Sequence, residues 1–281
     1  MTAMNERQRT LLARRYGGQP RPETMIWNDQ IEHLLNHRSV RTFLTDPLPE
    51  GALETMVAAA QSASTSSALQ QWSVVAVSGE QKRKVHDLIA ATVPTDRIPW
   101  IADAPVVLLW VADLSRSSAI AAAQGDEPIV HDFLDAFLMA SVDAALAAQN
   151  AAVAAEAVGL GVVFLGVMRN AANDLAALID LPHHSFVTFG MAVGRPDPSR
   201  SSDMRPRLPQ AVVLHHDRYV HDSHREHLPG YEDAYHAFRV RQGMGHKTWQ
   251  EAVHMSATSM AYMSGRENLR ETVVARGFKL R

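Results

Sequence analysis

The sequence predicts an α+β fold in which helices surround one central sheet. Apolar, β-branched segments at 71–79, 104–113, 162–168 and 185–196 have the length and composition of strands. The segment 104–113, APVVLLWVAD, is apolar almost throughout, as expected for a central strand that is buried on both faces. Helical segments separate these strands without regular alternation, which favours a helix–sheet sandwich over a doubly wound α/β fold.

The helical segments are recognised by the spacing of their apolar residues. Ile31, Leu34 and Leu35 share one helix face after a possible N-cap at Asn28 or Asp29. A second helix is expected over 48–63, and a longer alanine-rich one over 132–161. Small side chains let another backbone approach closely, so we expect this helix at the middle of the molecule or at a subunit interface. Residues 211–220 form a possible fifth strand before a polar helical tail.

Composition excludes several classes of protein. The chain has 281 residues, with 27 Lys and Arg against 30 Asp and Glu, so it offers no strong basic surplus for binding nucleic acid. It has no cysteine, which excludes disulfides, thiolate nucleophiles and cysteine-bound zinc. Any redox chemistry must therefore reside on a bound cofactor.

No membrane-spanning or targeting segment is expected. Residues 1–25 are polar and basic, without the apolar core of a signal peptide, and are interpreted as an N-terminal extension to a single domain over 26–281. The most apolar long stretch, 136–158, carries four polar side chains, Asp143, Gln149, Asn150 and Glu156. It is interpreted as a buried helix, and the protein as cytoplasmic.

Three familiar types of site are not supported. Gly159, Gly161 and Gly166 lie between a helix and a strand, whereas a dinucleotide loop follows a strand and opens a helix. The histidines at 221, 224 and 227 are spaced for one helix face, but Pro229 and Gly230 follow at once, so no metal site is predicted. No G-x-S-x-G motif is present, so a hydrolase is not expected.

Hydrogen-bond donors for an anion are concentrated in three separate segments. HRSVR supplies His37, Arg38, Ser39 and Arg41; STSS (64–67) is followed by Gln70; RPRLP supplies Arg205 and Arg207. Arginine pairs with phosphate through charge-assisted, often bidentate hydrogen bonds. Any one of these arginines, taken alone, is also explained by a surface ion pair or a helix-end interaction. Their joint order along the chain is more informative.

Taken together, these segments resemble the FMN-dependent nitroreductase/flavin reductase family, in its NADPH-dependent, oxygen-insensitive type A branch. The matching pieces appear in family order: HRSVRTFLTDPLP, ASTSSALQQWSVVAV, VDAALAAQNAAVAAEAVGLGVVFLGVMRN, LPHHSFVTFGMAVGRP and RPRLPQAVVLHHDRY. They cover about residues 30 to 250, nearly the whole chain.

The resemblance implies an architecture and a set of binding residues. It implies a homodimer of α/β sandwiches, each with a mainly antiparallel sheet flanked by helices. Two FMN sites would be built from both chains, and the C-terminal residues would wrap the partner. The residues implied for the ribityl phosphate are His37, Arg38, Ser39, Arg41, Arg205 and Arg207. Those implied beside the flavin ring are Thr65, Ser66, Ser67 and Gln70 across the interface, and Phe164, Leu165, Gly166 and Val167 at a strand end. Arg241 is implied for the 2′-phosphate of NADPH.

The chain departs from the family pattern at three places. Arg205 replaces the usual lysine, Val167 replaces a glycine beside the ring, and Ile98 with Pro99 stand where a Gln–Lys pair normally helps to hold the flavin.

The implied activity is an NADPH-dependent, two-electron, ping-pong reduction of nitroaromatics, quinones or flavins, with no side chain needed as acid or base. Three alternatives remain open from the sequence. They are a flavin-binding carrier or sensor without significant turnover, a related flavoenzyme with a specialised substrate, and a protein that binds metal through its histidine-rich tail.

Overall fold

The computed structural model describes residues 4–93, 98–200 and 203–281, and the chain forms two compact units. The helical unit comprises the described residues of Met1–Ser39 and Ser202–Tyr262. The sheet unit comprises those of Val40–Ser201 and Met263–Arg281. These boundaries differ from the predicted division at residue 25. The two compact units do not decide whether residues 26–281 fold as one domain. A single domain over 26–281, preceded by an extension over 1–25, therefore stays a prediction.

A four-stranded antiparallel sheet forms the centre of the sheet unit. Its strands are β1 (Trp72–Ser78), β2 (Val106–Asp113), β3 (Gly161–Leu165) and β4 (Ser185–Gly194), in the spatial order β1-β2-β4-β3. β2 is buried at every position after Val106, which explains why its sequence is apolar as far as its last residue, Asp113. The expected antiparallel sheet and its four principal strands are confirmed.

Helices cover both faces of this sheet. The sheet unit contains α3 (Ala52–Gln61), α4 (Gly79–Ala90), α5 (Pro99–Asp103), α6 (Ser115–Ala123), α7 (Leu134–Ala157), α8 (Ala172–Leu178) and α12 (Leu269–Ala275). On one face, α3 and the alanine side of α7 pack against Leu108 and Trp110 of β2. On the other face, α4, α5 and α8 pack against Val107 and Leu109 of the same strand. Helices on both sides of one sheet confirm the α+β sandwich.

The helical unit contains α1 (Glu6–Tyr16), α2 (Asp29–Leu35), α9 (Gln210–Val213), α10 (Leu228–Arg241) and α11 (Trp249–Thr258). α1 begins with a capping box between Asn5 and Gln8 and ends at Gly17 in a left-handed conformation. A Cβ at Gly17 would lie 2.7 Å from the Ala234 Cβ of α10 and 3.0 Å from Pro206. Glycine therefore lets the end of α1 lie directly against α10 and the loop before α9.

The prediction of a possible fifth strand at 211–220 is wrong. Residues 210–213 form the short helix α9, and the chain then turns without joining the sheet. Val213 is 67% exposed and Leu214 is 53% exposed. The β-branched run therefore lacks the neighbouring strand that would bury it, and local propensity does not decide its conformation.

Candidate active site

In the helical unit, two of the predicted anion-binding segments lie next to each other. His37, Arg38 and Ser39 follow the end of α2, and His37 and Ser39 are half-buried while Arg38 is exposed. Arg205 is half-buried with its guanidinium 5.5 Å from the centroid of the Phe238 ring. Arg207 is exposed. The side chains of both segments are hydrogen-bond donors and cations, which is the chemistry that a phosphate group requires.

The residue that joins these two segments is Arg15 of α1, which sequence analysis did not identify. Its guanidinium donates to the carbonyl oxygens of Leu35 (2.6 Å and 3.1 Å) and His37, and at 3.4 Å to that of Arg205. The Arg207 amide donates in turn to the Arg15 carbonyl at 2.9 Å. Only 6% of Arg15 is exposed. Its place in the last turn of a helix gave no signal of these contacts.

Arg241, the predicted anchor for the NADPH 2′-phosphate, ends α10 and is exposed. Its Nε lies 3.4 Å from the Asp203 carboxylate, which also pairs with Arg14 at 3.2 Å. Burial raises the pKa of Asp203, but hydrogen bonds from the Met204 amide and from Arg14 outweigh it and hold that pKa below its ordinary value. An incoming phosphate at Arg241 would therefore compete with a charged carboxylate.

In the sheet unit, residues 64–70 (STSSALQ, the Ser-rich segment) take a backbone conformation that is rare without glycine. Ser67, Ala68 and Gln70 have φ angles of 50°, 56° and 52°. Such residues cost about 1–3 kcal/mol each and persist where surrounding contacts hold them. Here a carboxylate does so: Asp143 of α7, fully buried, accepts hydrogen bonds from the amides of Ser66 at 2.9 Å and Gln71 at 3.2 Å.

A second contact from outside the segment fixes its far end. Arg116 of α6 donates to the carbonyl oxygens of Gln70 (2.6 Å) and Trp72 (2.8 Å), and pairs with Asp113 at 2.8 Å. Burial raises the pKa of Asp113, but hydrogen bonds from Ser115 and Ser73 and the charge of Arg116 bring it below its ordinary value. The sequence gave no indication that Arg116 reaches this segment, because the two carbonyl groups that it contacts there lie more than 40 residues away.

Arg41 lies beside an aromatic ring that was not predicted as part of the site. Its guanidinium carbon is 5.9 Å from the centroid of Trp100, within cation–π distance. The Trp100 Nε1 is buried and has no hydrogen-bond partner among the residues that the structure describes. Ile98 is 4% exposed within the apolar core, and Pro99 opens α5. The two positions at which the resemblance implies a polar Gln–Lys pair are therefore a core side chain and a helix start in this chain.

The predicted ring-contacting residues Phe164–Val167 lie at the end of β3 and the turn after it. Phe164 is 38% exposed and packs edge-on against Phe189, with ring centroids 5.6 Å apart. Leu165 is buried, and Val167 packs partly against the core. The segment thus combines an exposed aromatic side chain with backbone groups at a strand end.

The two predicted ring-contacting segments lie on opposite edges of the sheet. The Ser-rich segment precedes β1, whereas Phe164 and Leu165 belong to β3, and β2 and β4 lie between them. Three interstrand spacings separate the two edges by about 14 Å. Within one chain, therefore, the sheet does not bring these segments together.

An apolar stripe lies on the outer face of α7. Leu134, Leu138, Val142 and Leu146 recur every four residues and are between 44% and 55% exposed. Among the helices of the described residues, α7 is the one that is long and apolar enough, by length and composition alone, to cross a membrane. Its opposite face, however, is made of alanines buried against the sheet, as in a core helix.

Within the described parts of the chain, no group of three or more His, Cys, Asp or Glu is placed to hold a metal ion. The segment with His221, His224 and His227 forms turns before α10.

Comparison with known proteins identifies relatives with a similar sequence and fold. The FMN reductase (NADPH) of Bacillus subtilis is 35% identical over 195 residues, which is 68% of this chain and 75% of that protein. The structure of Bacillus megaterium NfrA2 superposes with a TM-score of 0.81 at 29% identity, covering 91% of this chain and all of that one. The NADPH:FMN oxidoreductase of Vibrio harveyi, solved with NAD⁺, gives 0.76 at 29% identity and covers 90% of this chain and all of that one.

Two family descriptions match most of the chain. Residues 34–195 match the nitroreductase family, and residues 205–281 match the C-terminal domain of that family. Residues 1–33, which contain α1, lie outside both matches. The resemblance predicted from the HRSVR, STSS and RPRLP segments is confirmed, and the chain belongs to the nitroreductase family.

Proposed function

We propose that this protein is an FMN-dependent oxidoreductase that uses NADPH as its electron donor. The observation that carries the proposal is the pair of cationic segments in the helical unit, which Arg15 joins and which supply donors for one phosphate group. Relatives named FMN reductase (NADPH) and NADPH:FMN oxidoreductase support the same cofactor pair.

The phosphate of FMN is assigned to six donors, His37, Arg38, Ser39, Arg41, Arg205 and Arg207. Arginine at 205 in place of the family's lysine keeps the charge and adds the possibility of a bidentate contact. The 2′-phosphate of NADPH is assigned to Arg241. When the nucleotide binds, a contact with this phosphate would replace the ion pair between Arg241 and Asp203. These assignments rest on the chemistry of the side chains and on the family resemblance.

The flavin ring is assigned to two segments from different copies of the chain. Phe164, Leu165, Gly166 and Val167 come from one copy, and Thr65, Ser66, Ser67 and Gln70 from the other. Two observations support a homodimer. Within one chain the first segment belongs to or follows edge strand β3 and the second precedes the opposite edge strand β1, and these two strands are about 14 Å apart. In addition, α7 exposes an apolar stripe. The C-terminal residues are assigned to the partner's surface, and the protein to the cytoplasm.

FMN, when bound, supplies the redox chemistry by accepting a hydride from NADPH and passing two electrons to an acceptor. The chain's residues bind and orient the reactants. Asp143 and Arg116 hold the Ser-rich segment in its left-handed conformation, and the cationic segments hold the phosphates. No side chain is assigned as acid or base. Nitroaromatics, quinones and free flavins are the proposed acceptors.

Steady-state kinetics under anaerobic conditions test this proposal. NADPH oxidation is followed at 340 nm while a nitroaromatic, a quinone or free FMN is varied at several fixed NADPH concentrations, with NADH as the comparison donor. Parallel double-reciprocal lines are expected, because donor and acceptor use the same site in turn. Intersecting lines would contradict the ping-pong cycle. FMN-loaded protein that oxidises no NADPH would instead indicate a flavin carrier or sensor.

A further inference from the structure

The helix α1 precedes the part of the chain that matches the nitroreductase family, yet it is closely packed in the helical unit. Leu11, Leu12 and Tyr16 are buried. The helix ends at Gly17, where a Cβ would overlap Ala234 and Pro206. This contact brings the last turn of α1 to the segment that contains Arg205 and Arg207.

Arg15 occupies that last turn and is itself buried, with 6% of its surface exposed. Burying a guanidinium is costly unless its donors are satisfied. Its donors are directed to backbone carbonyls of two segments that are 20 to 22 residues and 190 residues away in sequence. The bond to Leu35 uses both Nε and Nη2, and this two-point geometry fixes the orientation of the planar group.

These contacts act on the residues assigned to the phosphate without replacing them. The Arg15 guanidinium donates to the His37 carbonyl oxygen, and the Arg15 carbonyl accepts from the Arg207 amide at 2.9 Å. One residue thereby sets the backbone on both sides of the donor set. Correct spacing of phosphate donors matters because charge-assisted pairs depend strongly on geometry.

We propose that Arg15 is a positioning residue for the 5′-phosphate of FMN, so that the N-terminal extension is part of the cofactor site. This inference rests on the proposed function. It assigns Arg15 no contact with the cofactor. Its effect is specific to the phosphate, because both segments that it joins supply phosphate donors.

Binding of FMN and of riboflavin to the apoprotein separates a phosphate effect from general destabilisation. Riboflavin carries the same ring and ribityl chain but no phosphate. Dissociation constants for both are measured by flavin fluorescence with wild type, Arg15→Met and Arg9→Met. Arg9 is the matched control, since it is exposed on the same helix and, among the bonds described for it, its side chain donates only to the Met4 carbonyl oxygen.

Arg15→Met is expected to weaken FMN binding about tenfold, which corresponds to about 1.4 kcal/mol, and to leave riboflavin binding unchanged. Arg9→Met is expected to change neither. An equal loss for FMN and riboflavin would overturn the inference by showing a purely structural role, and unchanged FMN binding would overturn it as well. Wild-type apoprotein that binds FMN no better than riboflavin would instead remove the phosphate assignment and the proposed function.

A second variant and a measurement on wild type cover the case in which Arg15→Met does not fold. Arg15→Lys keeps the charge but lacks the planar fork, so it should lose part of the preference for FMN over riboflavin. In wild type, hydrogen exchange at the Arg207 amide should slow more with FMN than with riboflavin. Equal slowing with both flavins would contradict the proposal.

Discussion

The buried carboxylate of Asp143 offers a quantitative test of how the Ser-rich segment is held. Its two oxygens accept from the Ser66 amide at 2.9 Å and the Gln71 amide at 3.2 Å. A hydrogen bond to a charged group contributes about 1.5–3 kcal/mol. Asp143→Asn keeps the side-chain shape but retains one acceptor oxygen, and turns an NH₂ group toward the second amide.

The expected result is a loss of about 2 kcal/mol of local stability in this segment, equal to about thirtyfold faster amide exchange. Most of this loss should be local, because Ser67, Ala68 and Gln70 can then relax from their left-handed conformations. Hydrogen exchange measured by mass spectrometry over residues 64–72 gives the rates.

Asp135→Asn is the matched control for this experiment. Asp135 lies on the same helix but is exposed, so its variant should leave exchange in the Ser-rich segment unchanged. Unchanged protection of this segment in Asp143→Asn would refute the reasoning. Equally accelerated exchange in the central strand β2 would refute it too, because the carboxylate would then support the whole sheet.

Three further predictions concern packing, phosphate binding and pH. Gly161→Ala should lower Tm by several degrees, because its Cβ would lie 2.5 Å from a methyl carbon of Val40, and overpacking costs about 1–3 kcal/mol; an unchanged Tm would contradict this. Arg41→Ala should purify as folded protein that retains little FMN, as judged by its visible spectrum and thermal melt, and full flavin content would remove Arg41 from the site. Burial, with a neighbouring histidine in each case, lowers the pKa of His131 and His184. The folded state therefore resists protonation of these two histidines, and Tm should fall as pH drops below about 6.5, the ordinary histidine pKa. The double variant His131→Gln, His184→Gln should show a weaker dependence of Tm on pH. A double variant with the same pH profile as wild type would contradict this prediction.

The sheet was predictable from sequence because strands that are buried consist mainly of apolar residues. β2 is covered on both faces, so its segment is apolar up to Asp113. Its predicted range, 104–113, differs from the observed Val106–Asp113 only at the start. The run at 211–220 carries a similar local signal but gains no neighbouring strand. Its conformation depends on tertiary contacts that a short apolar run does not encode.

The residues that support the candidate site illustrate the same limit. Asp143 was visible as a polar residue in an apolar helix, but its partners are 72 and 77 positions away. α1 did have a local signal, the Asn5–Gln8 capping box followed by Gly17, which marks a helix start and end. Nothing in that pattern indicates that Arg15 contacts Leu35, His37 and Arg205. Its partners are backbone carbonyl groups, which every residue type carries, so the sequence does not mark them.

The central claim is that this chain binds FMN and reduces it with NADPH. The most direct test is the visible absorption spectrum of the purified protein, reconstituted with FMN and recorded anaerobically before and after NADPH is added. The account predicts oxidised-flavin bands that bleach with NADPH and return when a nitroaromatic or quinone is added. Protein that refuses FMN, or bound flavin that stays oxidised in excess NADPH, would contradict it.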